Sequence, residues 1–396
     1  MVRPGWHPIR RATIDMGLSK QRLVHSILGA TVIVITMSCG GASDSSSDDS
    51  DVDPSTAVSE APVTTEVPTS DVSSSEPDIV DWETVAAPAD CMCADGSPYS
   101  YFVREADPTK VVFYLEGGGA CFSSAMCAPG SNSYKQFIGA APEEDAAGIF
   151  DFANPQNPFA DHSFVFVPYC SGDVHSGNVT KDYGDGVVIE HKGFVNASAA
   201  LTTMIERFPN VVDLVVAGSS AGAFTTPLYA GVAADQLPNA KVAVIADSGG
   251  AVPDAIAVVT ANWGSVKSLP DWPEFAGTTA AMMTPPYIFT KVAEHNPSIT
   301  FMRHDYAYDR VLSSYAMMAG LSADGLVEVM RSGEASIEAT GVAVAAWVSP
   351  GDAHTILGRA DFYTEELNGV RFLDWLLAFL GDASLADNYC VECLDD

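Results

Sequence analysis

Cations are scarce in this chain of 396 residues: 19 Lys and Arg stand against 51 Asp and Glu, a net charge of −32. A chain this anionic repels phosphate backbones and anionic headgroups, which argues against nucleic acid as a partner and against charge-driven membrane binding. Long hydrophobic runs are missing too. The apolar run SILGATVIVITM (26–37) is too short for an ordinary membrane-spanning helix. No internal repeat stands out. Residues 40–90 contain no Lys or Arg, and residues 40–80 contain no aromatic side chain. Such a segment cannot bury enough apolar surface to offset its chain entropy, so 40–80 reads as a disordered acidic linker rich in Ser, Thr and Pro.

The N-terminus reads as an address. Arg10, Arg11, Lys20 and Arg22 precede the apolar run, and Ser38 and Cys39 follow it. A basic region, a short apolar core and a small residue before a cut describe an export signal. Residues 1–39 resemble a bacterial lipoprotein signal, which would acylate Cys39 and leave the lipid as the only membrane attachment. A start at Met16 gives a more conventional length, and a cleaved signal without a lipid is the simpler alternative. The folded domain is then 81–396, exported to the cell envelope or beyond. It is itself anionic, with 37 acids and 14 bases from Cys91 onward. Solubility or a salty habitat accounts for this more simply than a cationic partner does.

Cysteine usage agrees with export. Seven cysteines remain besides Cys39: Cys91, Cys93, Cys121, Cys127, Cys170, Cys390 and Cys393. The expectation is a local Cys121–Cys127 bridge, with Cys91 and Cys93 tied to Cys390 and Cys393, and Cys170 left over. A four-thiolate zinc site from the two terminal pairs is the less favoured alternative, since exported thiols oxidise. Otherwise no metal and no cofactor is called for.

Apolar runs alternate with helical patterns along the domain. KVVFYLE (110–116), SFVFVPY (163–169), DLVVA (213–217), KVAVIAD (241–247), SITFMRH (298–304) and VAVAAWVS (342–349) read as strands. Helices are expected over 188–208, 221–234 and 363–380, the last with Phe372, Leu373, Trp375, Leu376 and Phe379 on its core face. Continuous apolar strands alternating with helices predict an α/β fold, a mostly parallel sheet covered on both faces. The irregular, proline-containing stretch 251–297 reads as an inserted cap over the carboxyl edge of the sheet, where open α/β folds place their sites.

One strand ends in GSSAGAF (218–224) and leads into a helix. The order strand, Gly-x-Ser-x-Gly, helix holds a nucleophilic serine on a sharp turn, and the strained turn favours glycine two residues to either side. Ser220 has Gly218 and Gly222 at those places, whereas Ser219 has two alanines. Ser220 is therefore the candidate nucleophile. A helix starting behind it turns the Ala221 N–H toward a developing oxyanion. An earlier strand closes in EGGG (116–119), whose glycines let backbone N–H groups approach a substrate oxygen. No Lys-Ser/Thr follows, which excludes a phosphate-binding P-loop.

A serine needs a base, and the base needs an acid. Chain order for this arrangement is serine, acid, histidine. Only His295, His304 and His354 follow Ser220. His354, in a loop between a late strand and the last helix, is in the expected place. Asp247, Asp305, Asp309 and Asp352 are the acids in range, and the pattern favours 305–309 without choosing between its two aspartates.

The chain resembles the pectin acetylesterase/Notum family of α/β-hydrolases. The residues that carry the resemblance are YLEGGGAC (114–121), VPYCSGDVHSGN (167–178), VVAGSSAGA (215–223), IADSGG (245–250) and AYDRVL (307–312). It implies an α/β-hydrolase fold, Ser220 as nucleophile, Asp309 as acid and a histidine in the place of His354. It also implies oxyanion donors from Gly118, Gly119 and Ala221, a Cys121–Cys127 bridge, and a structural Asp247 that buttresses the loops. The chain departs from the family in the loop Gly117-Gly118-Gly119-Ala120-Cys121, where relatives carry a Trp before the Cys. His175 stands where animal relatives have Trp, and is a candidate pocket residue. Plant relatives remove acetyl groups from pectin, and animal relatives remove a fatty acyl group from a signalling protein. The reading is thus a carboxylic-ester hydrolase acting by a Ser-His-Asp mechanism on an acylated carbohydrate, by O-deacetylation. An acyl-chain or lipid esterase is the second reading, and a glycan-binding surface lipoprotein with an idle triad the third.

Overall fold

The structure is a computed structural model that describes residues 82–143, 146–249, 257–318, 322, 325–391 and 393. The expected signal (1–39), Cys39 and the linker (40–80) lie outside the described residues. Two strands open the domain, β1 (Glu83–Ala86) and β2 (Ser100–Arg104). Next come β3 (Asp107–Leu115), the one-turn helix α1 (Ser124–Cys127) and β4 (His162–Val167). A hairpin of β5 (Val179–Asp182) and β6 (Val188–His191) precedes α2 (Gly193–Arg207). Then β7 (Asp213–Ser219), α3 (Thr226–Gln236) and β8 (Lys241–Asp247) alternate. They are followed by α4 (Ala257–Trp263), α5 (Pro285–His295), β9 (Thr300–Tyr306), α6 (Arg310–Met318), α7 (Leu326–Glu338) and β10 (Val344–Ser349). The chain closes with the short hairpin β11 (Glu366–Leu367) and β12 (Val370–Arg371), α8 (Phe372–Leu380) and β13 (Asn388–Tyr389).

Nine strands form one sheet in the order β1-β2-β4-β3-β7-β8-β9-β10-β13. β2 runs antiparallel to both β1 and β4, and every pairing from β4 to β13 is parallel. This is the α/β-hydrolase arrangement. Its strands are buried on both faces, which is why they read as unbroken apolar runs. Alternate residues of one strand enter different cores. Phe113 and Leu115, Leu214 and Val216, and Val242 and Val244 pack under α2, α3 and α5. Val112 and Tyr114, Val215 and Ala217, and Ala243 and Ile245 pack on the side of α8. Each fully buried Val, Leu, Ile or Phe contributes about 1.5–3 kcal/mol, so the sheet centre is the rigid part of the domain.

Three expectations need correction. The helix expected over 188–208 begins only at Gly193, because Val188–His191 pair with Val179–Asp182 as a hairpin. The helix expected from 363 begins at Phe372, because Asn368 and Gly369, at φ 54° and 79°, turn β11 into β12. An Asn-Gly step suits such a two-residue turn. The cysteines pair as Cys93–Cys170, Cys121–Cys127 and Cys390–Cys393, and Cys91 is free and buried. Cys93 reaches Cys170 because the chain before β2 runs beside the end of β4, where Ala94 N–H donates to Cys170 O at 2.9 Å. The bridging of the two terminal pairs to each other falls, and the four-thiolate zinc site falls with it.

The expected cap (251–297) also resolves into two different parts. Residues 251–256 lie outside the described residues. α5 belongs to the helix layer, with Ile288, Phe289 and Val292 buried in the first core. Pro285 and Pro286, which disturb the pattern in sequence, occupy the first helical turn, where a missing N–H has no partner to lose. α4 instead runs beside the glycine loop. Trp263 packs with Ala120, Tyr169 and Ala221 and donates its indole N–H to Cys121 O at 2.8 Å.

The Cys93–Cys170 bridge spans 77 residues. Replacing both cysteines by serine is expected to lower unfolding free energy by about 2–5 kcal/mol. Chemical denaturation checks this, and an unchanged midpoint contradicts it.

Candidate active site

The functional side chains stand at the carboxyl ends of β3, β7, β8, β9 and β10. β7 ends at Ser219, and Ser220 enters a tight turn (220–225) that leads straight into α3. Ser220 has φ 53°, a conformation that non-glycine residues rarely adopt. The flanking glycines are required by close approach. A Cβ on Gly218 would lie 2.6 Å from Gly222 O, and one on Gly222 would overlap Leu115 O.

His354 lies in the loop after β10, and its Nδ1–H donates to Asp309 Oδ2 at 2.7 Å. Asp309 is fully buried. Its Oδ1 accepts from the Val311 and Leu312 N–H groups at 2.8 and 3.0 Å, which caps the start of α6. The Ser248 hydroxyl contacts both Asp309 Oδ2, at 2.7 Å, and the His354 carbonyl. Among the described residues, His354 Nε2 has no hydrogen-bond partner. Ser220 and His354 line the same cavity, of about 560 Å³, together with Gly118 and Gly119.

The loop after β3 is held by its carbonyls. Glu116 O accepts from His175 Nε2 at 2.8 Å, and Gly118 O from Lys135 N–H at 2.8 Å. No described group accepts a hydrogen bond from the Gly118 or Gly119 N–H. Gly119 has φ 76°. The rest of the wall is mixed: Glu116 pairs with Lys135, and Ser131, Asn132 and Thr355 stand beside Val311 and the rings of Tyr114 and Tyr134.

Two sequence candidates behave differently from the rest. His175 does not line the cavity. It is buried behind the glycine loop, packed at 4.9 Å against Tyr169, and holds Glu116 O. Burial pushes its pKa below the ordinary histidine value, against the smaller opposing effect of that hydrogen bond. The reason for the miss is φ 56° at His175, which turns the chain back into the core. Asp305, the rival acid, faces away from His354. It pairs with the buried Arg303 and accepts from Gly249 N–H at 3.2 Å.

Asp247 is fully buried and takes part in no catalytic contact, yet it joins three segments. It accepts from the Ser219 hydroxyl at 2.8 Å, from Leu357 N–H at 3.0 Å and from Ile356 N–H at 3.0 and 3.1 Å. The His354 loop is thereby fastened to the strand that carries Ser220. Asp247 also meets His304 Nδ1 at 3.0 Å, and His304 Nε2 meets Ser349 Oγ at 3.1 Å. That second Asp-His-Ser array is wholly buried, so substrate cannot reach it. His295 sits on α5 between Asp235 and Glu274, away from the cavity. Sequence reasoning missed Lys135, Asn132 and Tyr315, since nothing in their local pattern marks them. Ser248 lay within the quoted IADSGG without a role.

Residues 73–261 match the family model described as Pectinacetylesterase. The matched span includes the glycine loop and Ser220, while Asp309 and His354 lie beyond it. The chain is similar to the palmitoleoyl-protein carboxylesterase notum2 of Xenopus laevis, 33% identical over 136 residues, 33% of this chain and 27% of the relative. The human palmitoleoyl-protein carboxylesterase NOTUM is 29% identical over 168 residues, 40% of this chain and 34% of its own length. The inactive palmitoleoyl-protein carboxylesterase notum1b of Danio rerio is 33% identical over 109 residues, 26% of this chain and 76% of its own. The chain thus spans about a quarter to a third of the length of the first two of these relatives.

Two outcomes test this anatomy. Asp247→Ala leaves buried N–H groups without an acceptor, each costing about 1–3 kcal/mol. It is expected to lower the melting temperature and to speed hydrogen exchange at Ile356 and Leu357. Protected amides there contradict the buttress. His175→Gln tests the depressed imidazole. Above about pH 6.5 the folded and unfolded imidazoles are both neutral. Below it the unfolded chain takes a proton that the folded one refuses, so the stability that His175 contributes is lost as pH falls. The stability gap between wild type and variant should narrow from pH 7.5 to 5, and a constant gap contradicts the reading.

Proposed function

The chain belongs to the pectin acetylesterase/Notum family, and from that premise we propose that it is a carboxylic-ester hydrolase working through an acyl-enzyme on Ser220. The observation that carries the reading is the His354–Asp309 hydrogen bond at 2.7 Å, with His354 Nε2 left unpartnered beside the cavity that Ser220 lines. Asp309 holds the proton on Nδ1, which leaves Nε2 as a base. Hydrogen bonds between nucleophile and base are often long before substrate binds and tighten in the complex.

Ser220 Oγ attacks the ester carbonyl carbon while its proton passes to His354 Nε2. Asp309 stabilises the imidazolium. The oxyanion accepts hydrogen bonds from Gly118, Gly119 and Ala221, each donor worth roughly 3–4 kcal/mol. The carbon–oxygen bond to the leaving alcohol breaks, and His354 returns the proton to that oxygen. Water then attacks the acyl-enzyme and gives its proton to His354; the bond from Ser220 Oγ to the acyl carbon breaks, His354 returns that proton to Ser220 Oγ, and the carboxylic acid leaves.

The substrate proposed is an acylated carbohydrate, with removal of an O-acetyl group. Hydroxyl, amide and ammonium groups on the cavity wall suit a hydroxylated ligand. The net charge of the domain disfavours a glycan whose own carboxylates are all exposed. The names of the Notum relatives, palmitoleoyl-protein carboxylesterases, favour a second reading, a long-chain acyl esterase. For location we propose an exported protein attached by a lipid on Cys39. Three disulfides suit an oxidising compartment, and no described helix is long and apolar enough to cross a membrane.

A fluorophosphonate probe is expected to label the wild type and not Ser220→Ala, while an idle triad predicts no labelling of either. With p-nitrophenyl esters, kcat/KM should be highest for acetate and fall by an order of magnitude or more for long chains. A rise with chain length overturns the deacetylase reading in favour of the second.

A further inference from the structure

α6 begins at Arg310, directly after Asp309, and carries Tyr315 to the cavity wall. The Tyr315 hydroxyl donates to Ser133 O and accepts from Ala120 N–H at 3.3 Å. It also presses on the glycine loop, since a Cβ on Gly119 would overlap it. Ser133 O in turn accepts from Ala120 N–H at 3.1 Å. One phenol thus closes a ring of contacts around the two residues after Gly118. The start of the same helix, about one turn before Tyr315, is fixed by Asp309 Oδ1, which accepts from Val311 and Leu312.

We infer that Tyr315 is a positioning residue that sets the Gly118 and Gly119 N–H groups against the carbonyl oxygen of an ester held over Ser220. The inference rests on the hydrolase reading and deepens it. The acid Asp309 serves two ends of the site: Oδ2 orients His354, and Oδ1 anchors the helix whose tyrosine braces the oxyanion loop. α6 is therefore a strut between the two halves of the catalytic geometry. Burial raises the phenol pKa, so the hydroxyl stays protonated and able to donate at neutral pH. Its contribution appears where charge develops on the substrate oxygen, and little in ground-state binding.

The test is Tyr315→Phe, which keeps the ring and removes only the hydroxyl. With a short-chain ester, kcat is expected to fall about 10-fold while KM stays within about twofold, a loss confined to the transition state. A boronic acid that forms a tetrahedral adduct with Ser220 should weaken by the same factor. The amides of 118–120 should exchange faster, at a melting temperature close to that of the wild type. An active wild type with an unchanged kcat in Tyr315→Phe, or a loss expressed only in KM or in the melting temperature, overturns the positioning role alone. A wild type that hydrolyses no ester overturns the hydrolase reading and this inference with it.

Discussion

The site is organised by one buried carboxylate. Asp309 accepts the His354 Nδ1–H with one oxygen and caps α6 with the other. A buried charge is expensive unless its lone pairs are satisfied, and this one is satisfied by four donors from three segments. The consequence is mutual dependence. The helix start, the Ser248 turn and the histidine loop are held in place because the carboxylate needs them, and the imidazole is held at one tautomer because they hold the carboxylate.

A second buried carboxylate does the complementary work. Asp247 ties Ser219, the residue before Ser220, to Ile356 and Leu357, just past His354. The two aspartates differ in what they face, not in how deeply they are buried. Asp309 faces a ring that also borders the cavity, whereas Asp247 faces a ring enclosed by the core. Three residue types in a hydrogen-bonded row are thus insufficient to define a catalytic site, as the enclosed Asp247–His304–Ser349 array shows. Access and strain distinguish the two, and Ser220 has both, at φ 53° on the cavity wall.

Much of this was legible in the sequence, for physical reasons that differ by element. The central strands are buried on both faces, so KVAVIAD reads as a strand and is one over 241–247. The turn at Ser220 is legible because sterics leave no choice at Gly218 and Gly222. What stayed hidden depends on contacts between distant segments. Nothing local distinguishes Asp305 from Asp309, since their roles are set by Arg303 on one side and His354 on the other. The local Cys121–Cys127 bridge is legible, whereas the Cys93–Cys170 bridge is not, because it follows strand order in space. His175 stands where animal relatives have Trp, but it has a positive φ and is buried. Tyr315 lies 182 residues from the carbonyl it contacts, beyond any local signal.

The account stands most directly on the placement of one tetrahedral group at Ser220. A crystal structure of the phosphonylated protein would show it. The account predicts phosphorus on Ser220 Oγ, its outward oxygen roughly 2.7–3.1 Å from the N–H groups of Gly118, Gly119 and Ala221. It also predicts His354 Nε2 in hydrogen-bond reach of the adduct. Phosphorus on another residue, or an adduct oxygen turned away from the glycine loop with His354 out of reach, would contradict it.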